Sequence, residues 1–162
     1  MRKFVIEDSS LVISLMNPLD PLHTKATNIF ELILSSKEVR SVIPTTAFYE
    51  VLFVLLKAGV PYKSAKDKLM KLMMIEDVIN YTVTEPCILK MAFNAKTLIG
   101  SVPEKTNVRA HDLMLLTIAM DHENSCFITG DKEMKDYRSV YENVFLFYDP
   151  GDIKKIESFL SS

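Results

Sequence analysis

Four acidic residues of this chain stand among residues that are otherwise apolar or typical of strands. Asp8 directly follows the apolar run of residues 4–6, and Asp131 follows the strand-like run of residues 125–129. Glu50 is the only charged residue between positions 45 and 56, and Asp112 begins a long apolar stretch. A carboxylate drawn into a protein core costs several kcal/mol unless it is paired, hydrogen-bonded or bound to a cation. The four acids are therefore candidates for one shared site.

Carboxylate oxygens suggest a particular chemistry. They are the ligands that hard cations such as Mg²⁺ and Mn²⁺ prefer, and a pocket of four carboxylates could hold one or two ions. Such ions polarise a phosphodiester, generate hydroxide from bound water and stabilise the leaving oxygen. The residue types therefore point to metal-assisted hydrolysis of a phosphodiester.

Each acid also has a simpler structural explanation. Asp8 or Asp131 could be the N-cap of the helix that follows it, because Asp is a preferred capping residue. Asp112 could lie on the polar edge of a helix, where acids favour the first turns. The same explanation suits Glu50 less well, because its neighbours on the same helical stripe are apolar. The sequence leaves these alternatives open.

The elements that must position these acids alternate between strands and helices along the whole chain. The predicted strands are residues 4–6, 39–44, 78–83, 125–129 and 144–147. The predicted helices are residues 9–16, 20–35, 45–59, 62–75, 84–100 and 108–123, with two more beginning at 131 and 149, and residues 100–107 are predicted to form a loop.

Helix boundaries are predicted from capping residues and prolines. Asp20-Pro21 is typical of an N-cap followed by the first helical residue, and Asp149-Pro150 repeats the pattern near the end of the chain. Thr45 or Thr46 is the predicted cap of the helix that carries the glutamate.

Strands separated by helices indicate βαβ units, whose parallel strands form a sheet covered by helices on both faces. The predicted fold class is therefore α/β: a three-layer α/β/α sandwich around a central five-stranded parallel sheet. Ligands bind such sheets at the carboxyl ends of the strands, which is where Asp8 and Asp131 are expected.

Length and composition limit the class of protein further. The 162 residues, 48% of them apolar and 25% charged, predict one globular domain spanning residues 1–162. A net charge of −2 excludes a strongly basic nucleic-acid-binding module. No apolar run approaches the roughly 20 residues that cross a bilayer, so we expect a cytoplasmic protein. Cys87 and Cys126 are too few for a disulfide framework or a cysteine-rich zinc site, and are predicted to be core residues.

The four acids, taken in order, resemble the signature of the PIN-domain ribonucleases, and the chain is similar in size and layout to the VapC-like toxins of toxin–antitoxin pairs. The opening Asp-Thr/Ser-Ser of that family is matched by residues 8–10. Its glutamate lies in a helix after a strand ending in proline, as Glu50 does here. Its Asp-Ala-Leu helix containing Thr-Ala resembles residues 112–119, and its Thr-x-Asp is matched by residues 129–131.

This resemblance implies a PIN-like fold and an endoribonuclease activity that depends on Mg²⁺ or Mn²⁺. Ser10 and Thr129 are implied to orient carboxylates through their hydroxyls. The implied partners are an RNA substrate, a second copy of the chain in a homodimer, and a cognate antitoxin. The metal ligands that the resemblance implies are Asp8, Glu50, Asp112 and Asp131.

Three residues depart from the family pattern. His111 precedes the third acid where a small residue is usual, and it could line the pocket, contact phosphate or turn towards solvent. Leu113 replaces the common alanine. Glu7 precedes Asp8, and if Glu7 faced the pocket instead, the register of the first strand would be shifted by one residue.

Two further groups of residues have open roles. Methionines at positions 70, 73 and 74 have helical spacing and are predicted to fill the core, although such stripes also adapt to partners. Basic residues flank the proposed acids and could hold RNA phosphates or form a solvated face. These basic residues are Lys105, Arg109, Lys132, Lys135 and Arg138.

Other functions compete with a toxin nuclease. A PIN-like nuclease could act in RNA processing instead, and a catalytically idle PIN-like module could bind RNA or protein. A receiver-like signalling domain would also place paired acids after the first strand. That fold requires a phosphoacceptor Asp after the third strand and a Lys after the fifth, and the sequence places neither there.

Overall fold

The computed structural model of the chain describes residues 2–103, 107 and 109–162, so the predicted contact residue Lys105 and part of the predicted loop lie outside it. The strands in the described part are β1 (Lys3–Glu7), β2 (Val39–Pro44), β3 (Val78–Tyr81), β4 (Ser125–Thr129) and β5 (Val144–Leu146). A 3₁₀ helix (Lys132–Ser139) precedes β5. The α-helices are α1 (Ser9–Met16), α2 (His23–Ser35), α3 (Thr45–Lys57), α4 (Tyr62–Met73), α5 (Glu85–Gly100), α6 (Ala110–Asp121) and α7 (Pro150–Ser161).

The five strands run parallel in the order β3-β2-β1-β4-β5, which confirms the predicted α/β class. The chain first builds outward from β1 to β3 and then returns to the other side of β1 with β4. The switch point of the sheet therefore lies between β1 and β4, where such folds bind ligands. The same order excludes the receiver-like alternative, because that fold has the order 2-1-3-4-5.

Helices cover the sheet on both faces. Ile6 and Phe127 pack on one face with buried residues of α5 and α6. Val5 and Ile128 pack on the other face with buried residues of α1, α2 and α7. Neighbouring residues of a strand face opposite sides of the sheet, so each central strand contributes to both cores. The three-layer arrangement predicted from the sequence is thus confirmed.

The start of α2 differs from the prediction. The helix begins at His23 rather than at Pro21, because the Asp20 carboxylate does not cap it. Its Oδ1 accepts the backbone N–H of Leu22 at 2.8 Å and closes a turn before the helix begins. A capping residue and a turn-forming residue share the same chemistry, so the sequence signal could not separate them.

Helix α3 begins at the predicted residue, but a threonine side chain does not cap it as predicted. Pro44 occupies the N-cap position, and the predicted threonine cap is wrong. The hydroxyl of Thr45 instead donates to the backbone carbonyl of Tyr81 at 2.8 Å. This bond ties the first turn of α3 to the end of β3 and so positions the helix that carries Glu50.

Two of the basic residues that flank the proposed acids, Lys135 and Arg138, make contacts within the fold. Asp149 caps α7 as predicted, and Lys135 Nζ donates to its Oδ2 at 2.8 Å. Arg138 pairs with the buried Asp152 and also donates to the carbonyl of Val144. These contacts join the 3₁₀ helix to α7, so Lys135 and Arg138 are engaged away from the proposed acids.

The structure also shows whether the cysteines and two of the methionines are buried. Cys87 and Cys126 are buried and unpaired, as predicted for core residues. Met70 and Met74 are exposed, so the prediction that the methionine stripe fills the core is wrong for them. Within the described residues, no helix combines the length and apolar character that crossing a bilayer requires.

Glu7 lies fully buried on the face of the sheet opposite to Ile6. The hydroxyl of Ser41 donates to its Oε1 at 2.6 Å, and among the described residues its Oε2 has no hydrogen-bond partner. Burial raises the pKa of this carboxyl from 4.5 to about 8, and the Ser41 hydrogen bond acts in the opposite direction. Glu7 is therefore a neutral core residue at pH 7, and Asp8 is the acid that faces the pocket.

We expect Glu7 to make the folded protein less stable as pH rises. The folded state binds the proton more tightly than the unfolded state, so this contribution is complete below pH 4.5 and is lost between pH 4.5 and about 8. The Glu7→Gln variant cannot ionise, and its gain over the wild type should reach the order of 3–5 kcal/mol at pH 8. Urea unfolding followed by circular dichroism from pH 5 to pH 8 measures the difference.

The matched control for this prediction is Glu38→Gln, which removes an exposed carboxylate just before β2. The control should keep the pH slope of the wild type. Equal pH slopes in the wild type and in Glu7→Gln would contradict the assignment of a neutral, buried Glu7.

Candidate functional site

The four acids that the sequence singled out meet at the carboxyl edge of the sheet. Asp8 follows β1 and Asp131 follows β4, so these two flank the switch point. Glu50 projects from the second turn of α3, and Asp112 lies in the first turn of α6. All four line one cavity of about 450 Å³. The structure thus brings together side chains that are up to 123 residues apart in the sequence (Asp8 to Asp131).

Hydroxyl groups fix the Asp8 carboxylate. Ser10 Oγ and Thr129 Oγ1 both donate to its Oδ2, at 2.7 and 2.8 Å, and Ser9 Oγ donates to Oδ1 at 3.3 Å. Asp8 occupies the N-cap position of α1 but makes no capping bond to the helix backbone. The simpler explanation of Asp8 as a helix cap is therefore wrong, and Ser10 and Thr129 lie where they can orient it.

Gly130 allows β4 to approach α1 closely enough for these bonds. Its backbone N–H donates to Ser10 Oγ at 2.7 Å. A Cβ at this position would lie 3.0 Å from the ring of Phe147 and 3.2 Å from Ser10 Cβ and Oγ. A larger residue would therefore push against the serine that holds Asp8.

Asp131 has a structural role as well as a place in the cavity. Its Oδ1 accepts the backbone N–H of Glu133 at 3.0 Å, so it caps the 3₁₀ helix. Its own backbone N–H donates to Thr129 Oγ1 at 3.0 Å. Thr129 therefore links the Asp8 carboxylate to the backbone of Asp131, and the remaining oxygen of Asp131 faces the cavity.

Asp112 is buried, and its environment is short of positive charge. Its pKa is raised to about 6, first by burial and next by the negative charge of Asp8, with a further contribution from Asp131. Arg109 and His111 act in the opposite direction. Burial alone makes this carboxyl harder to ionise, and the neighbouring carboxylates add to that effect.

Two side chains with N–H groups lie between the acids. His111 Nε2 is 3.7 Å from Glu50 Oε2 and 3.9 Å from Asp8 Oδ1. Arg109 Nη1 is 3.6 Å from Asp131 Oδ2. Of the three alternatives for His111, the structure places it in the lining of the cavity. The sequence named both residues, but their positions between particular acids depend on tertiary packing that no local pattern encodes.

The donor types of this cavity fit a hard divalent cation, because carboxylate oxygens of four residues line it. Part of the rise in the pKa of Asp112 comes from the negative charges of Asp8 and Asp131, which a cation would offset. Among the described residues, however, no three or more His, Cys, Asp or Glu side chains are arranged to hold one metal ion.

We expect Thr129→Val to destabilise the protein by about 1–3 kcal/mol, because it removes one hydrogen bond from Asp8 and one from the backbone of Asp131. Valine keeps the shape of the side chain, so packing changes little. Thr27→Val is the matched control, since the Thr27 hydroxyl bonds only to a carbonyl of its own helix. Urea unfolding of both variants gives the comparison, and an equal effect in the two would contradict the linking role of Thr129.

No protein-family model matches the chain, and no curated protein matches it at a significant level. Solved structures do match. VapC20 of Mycobacterium tuberculosis, a toxin that cleaves the sarcin–ricin loop, superposes with a TM-score of 0.57 at 14% identity, covering 72% of this chain and 82% of that one.

Two toxin–antitoxin structures match over more of the chain. VapBC2 from Rickettsia felis, bound to a DNA fragment from its promoter, gives a TM-score of 0.63 at 15% identity and covers 88% of this chain and 96% of that one. A toxin–antitoxin complex from Klebsiella pneumoniae gives 0.59 at 16% identity, covering 90% and 98%. At these identities the likeness concerns the fold. The chain has the PIN-like fold of the VapC toxins, as its resemblance to PIN-domain ribonucleases predicted.

Proposed function

We propose that the protein is a Mg²⁺- or Mn²⁺-dependent endoribonuclease and the toxin of a VapBC-type toxin–antitoxin pair. The observation that carries this proposal is the meeting of four acids, from four different elements, in one cavity at the switch point of a VapC-like sheet. A structural role explains only part of this arrangement, because only Asp131 caps a helix. The similar fold of VapC20, a toxin that cleaves the sarcin–ricin loop, supports the choice of substrate.

In this proposal each acid has a defined part. Asp8 and Asp112 are the buried pair nearest the core, and they would anchor a divalent ion together with Asp131 and the more exposed Glu50. When bound, the ion would supply Lewis acidity towards the phosphodiester and activate water at neutral pH. Ser10 and Thr129 keep Asp8 pointed into the cavity, which limits the reorganisation needed when substrate arrives.

The surroundings of the cavity suit an RNA backbone. Arg109 and Lys132 line the same cavity as the acids and can approach phosphate oxygens. The chain as a whole carries a charge of −2, so RNA binding would depend on bound divalent ions to offset the acids. Acting on RNA, the protein would work in the cytoplasm.

Exposed apolar side chains support protein partners, namely a second copy and an antitoxin. Helix α5 exposes Leu89, 63% accessible, and Phe93, 85% accessible, one turn apart on the same face. A second apolar surface lies between α3 and α4 and includes Tyr49 and Met70. Contiguous exposed apolar surface on a small protein marks interaction sites.

A catalytically idle PIN-like module, or a nuclease of RNA processing outside a toxin pair, would share this fold. Titration calorimetry with Mn²⁺ separates the idle module from the enzyme, because an idle module should bind no metal in the cavity. A small DNA-binding protein encoded directly upstream would favour the toxin over the processing enzyme.

We expect Asp8→Asn and Asp112→Asn each to lower RNA cleavage by at least 100-fold while the folded structure persists. Each change removes one negative oxygen ligand and leaves the shape of the side chain unchanged. Cleavage of a structured RNA in Mn²⁺, with and without EDTA, measures the effect, and circular dichroism checks the fold. Wild-type activity in either variant, or full activity in EDTA, would falsify the proposed mechanism.

The control for these variants is Asp20→Asn, which changes an acid that closes a turn outside the cavity. It should retain wild-type cleavage. Loss of cleavage in this control as well would show that removal of any acid impairs the protein, and the site assignment would then be withdrawn.

We expect Phe93→Ser to shift the protein from dimer to monomer, because it removes the single aromatic side chain of α5, which is 85% accessible. Size-exclusion chromatography with light scattering gives the mass directly. Leu19→Ser is the matched control, since Leu19 is 92% accessible but lies in the turn after α1 rather than on α5. A monomeric wild type, or a Phe93→Ser variant of dimer mass, contradicts the use of α5 as the dimer surface.

A further inference from the structure

Two positively polarised side chains lie among the four carboxylates, and both come from one short segment at the start of α6. Arg109 occupies the N-cap position of α6, and His111 lies in its first turn beside Asp112. Each faces acids from other elements, in addition to acting on Asp112 of its own helix. His111 faces Asp8 after β1 and Glu50 on α3, whereas Arg109 faces Asp131 after β4. The segment thus spans both halves of the acid cluster.

The distances show contacts that are electrostatic rather than hydrogen-bonded. The three N···O separations are 3.6, 3.7 and 3.9 Å, longer than a charged hydrogen bond of about 2.7–2.9 Å. His111 Nε2 is buried and has no hydrogen-bond partner among the described residues. No hydrogen bond to these acids therefore has to break when either side chain moves away from them.

We propose that Arg109 and His111 are the built-in counterions of the carboxylate cluster, and that divalent metal displaces them towards the phosphates of bound RNA. This inference rests on the proposed metal site. The oxygens that the two side chains face are those of Asp8, Glu50 and Asp131, which are three of the four proposed ligands. An ion that binds these oxygens competes with Arg109 and His111 for the same negative charge.

The position of these contacts suits that competition. The side chains of the four acids line one cavity, yet no three of them among the described residues are arranged to hold an ion. Arg109 and His111 lie 3.6–3.9 Å from oxygens of three of these acids, Asp8, Glu50 and Asp131. Once released, a guanidinium with five N–H donors is suited to bidentate contact with phosphate.

Variants that lose a counterion should bind Mn²⁺ more tightly and RNA more weakly. A purely structural role would not predict these opposite effects. We expect Arg109→Gln and His111→Asn to bind Mn²⁺ about two- to five-fold more tightly than the wild type, because each variant loses a close contact with the carboxylate oxygens that the ion would bind. The same variants should bind RNA more weakly, and Arg109→Gln should also lower the salt slope of binding by about one. Calorimetry with MnCl₂ measures the first effect. Fluorescence anisotropy with an uncleavable 2′-O-methyl oligonucleotide in Mn²⁺ measures the second.

The matched control is Arg2→Gln, which removes the same charge from an exposed position before β1, at the opposite edge of the sheet. It should leave both affinities unchanged. Unchanged or weaker Mn²⁺ binding in Arg109→Gln and His111→Asn overturns the counterion role, and weaker binding in His111→Asn alone would identify His111 as a metal ligand instead. A wild type that binds no Mn²⁺ refutes the proposed metal site itself, so the two failures are distinguishable.

Discussion

Repulsion between carboxylates at the carboxyl edge of the sheet, where Asp8 and Asp131 both raise the pKa of Asp112, is the constraint on which the candidate site depends. Two like charges about 4 Å apart repel by about 4 kcal/mol at an effective dielectric constant of 20, so a cluster of acids needs compensating neighbours. Each acid is compensated differently. Hydroxyls bind Asp8, a backbone N–H and Arg109 face Asp131, and Asp112 holds its proton more tightly. Glu50 remains half in solvent.

The acids keep these compensating neighbours only because the hydrophobic cores hold the surrounding helices and strands in place. Residues 112–119 of α6 are all buried, so the helix cannot turn Asp112 out into water. Its burial then raises the pKa of that carboxyl more than any single neighbouring charge does. On the other side of the cavity, Thr45 fastens α3 to β3, and Gly130 lets β4 approach Ser10. The electrostatics of the site are therefore a product of packing on both faces of the sheet.

The sequence predicted the helices and strands better than the side-chain contacts that join them. The bounds of β2, β4 and α1 match the prediction to the residue, because apolar runs and adjacent acids or prolines mark their ends. The four acids were also brought together, since the carboxyl ends of parallel strands share one edge. Asp20 and Thr45 were misassigned because a side chain that can cap a helix can equally close a turn or bind a distant carbonyl. Contacts of Arg109 depend on tertiary packing and had no local signal.

Adjacent acids at the end of β1, Glu7 and Asp8, show how strongly packing decides chemical role. Glu7 and Asp8 differ by one position, and successive residues of a strand face opposite sides. Val5 and Ile6 fill the two cores and fix the register, so Glu7 is left in an apolar interior while Asp8 reaches the hydroxyls at the cavity. The first is held neutral by burial, and the second is stabilised as an acceptor of three hydroxyl hydrogen bonds. A shift of one residue would exchange these environments and dismantle the site, so the apolar residues of β1 determine which acid can serve it.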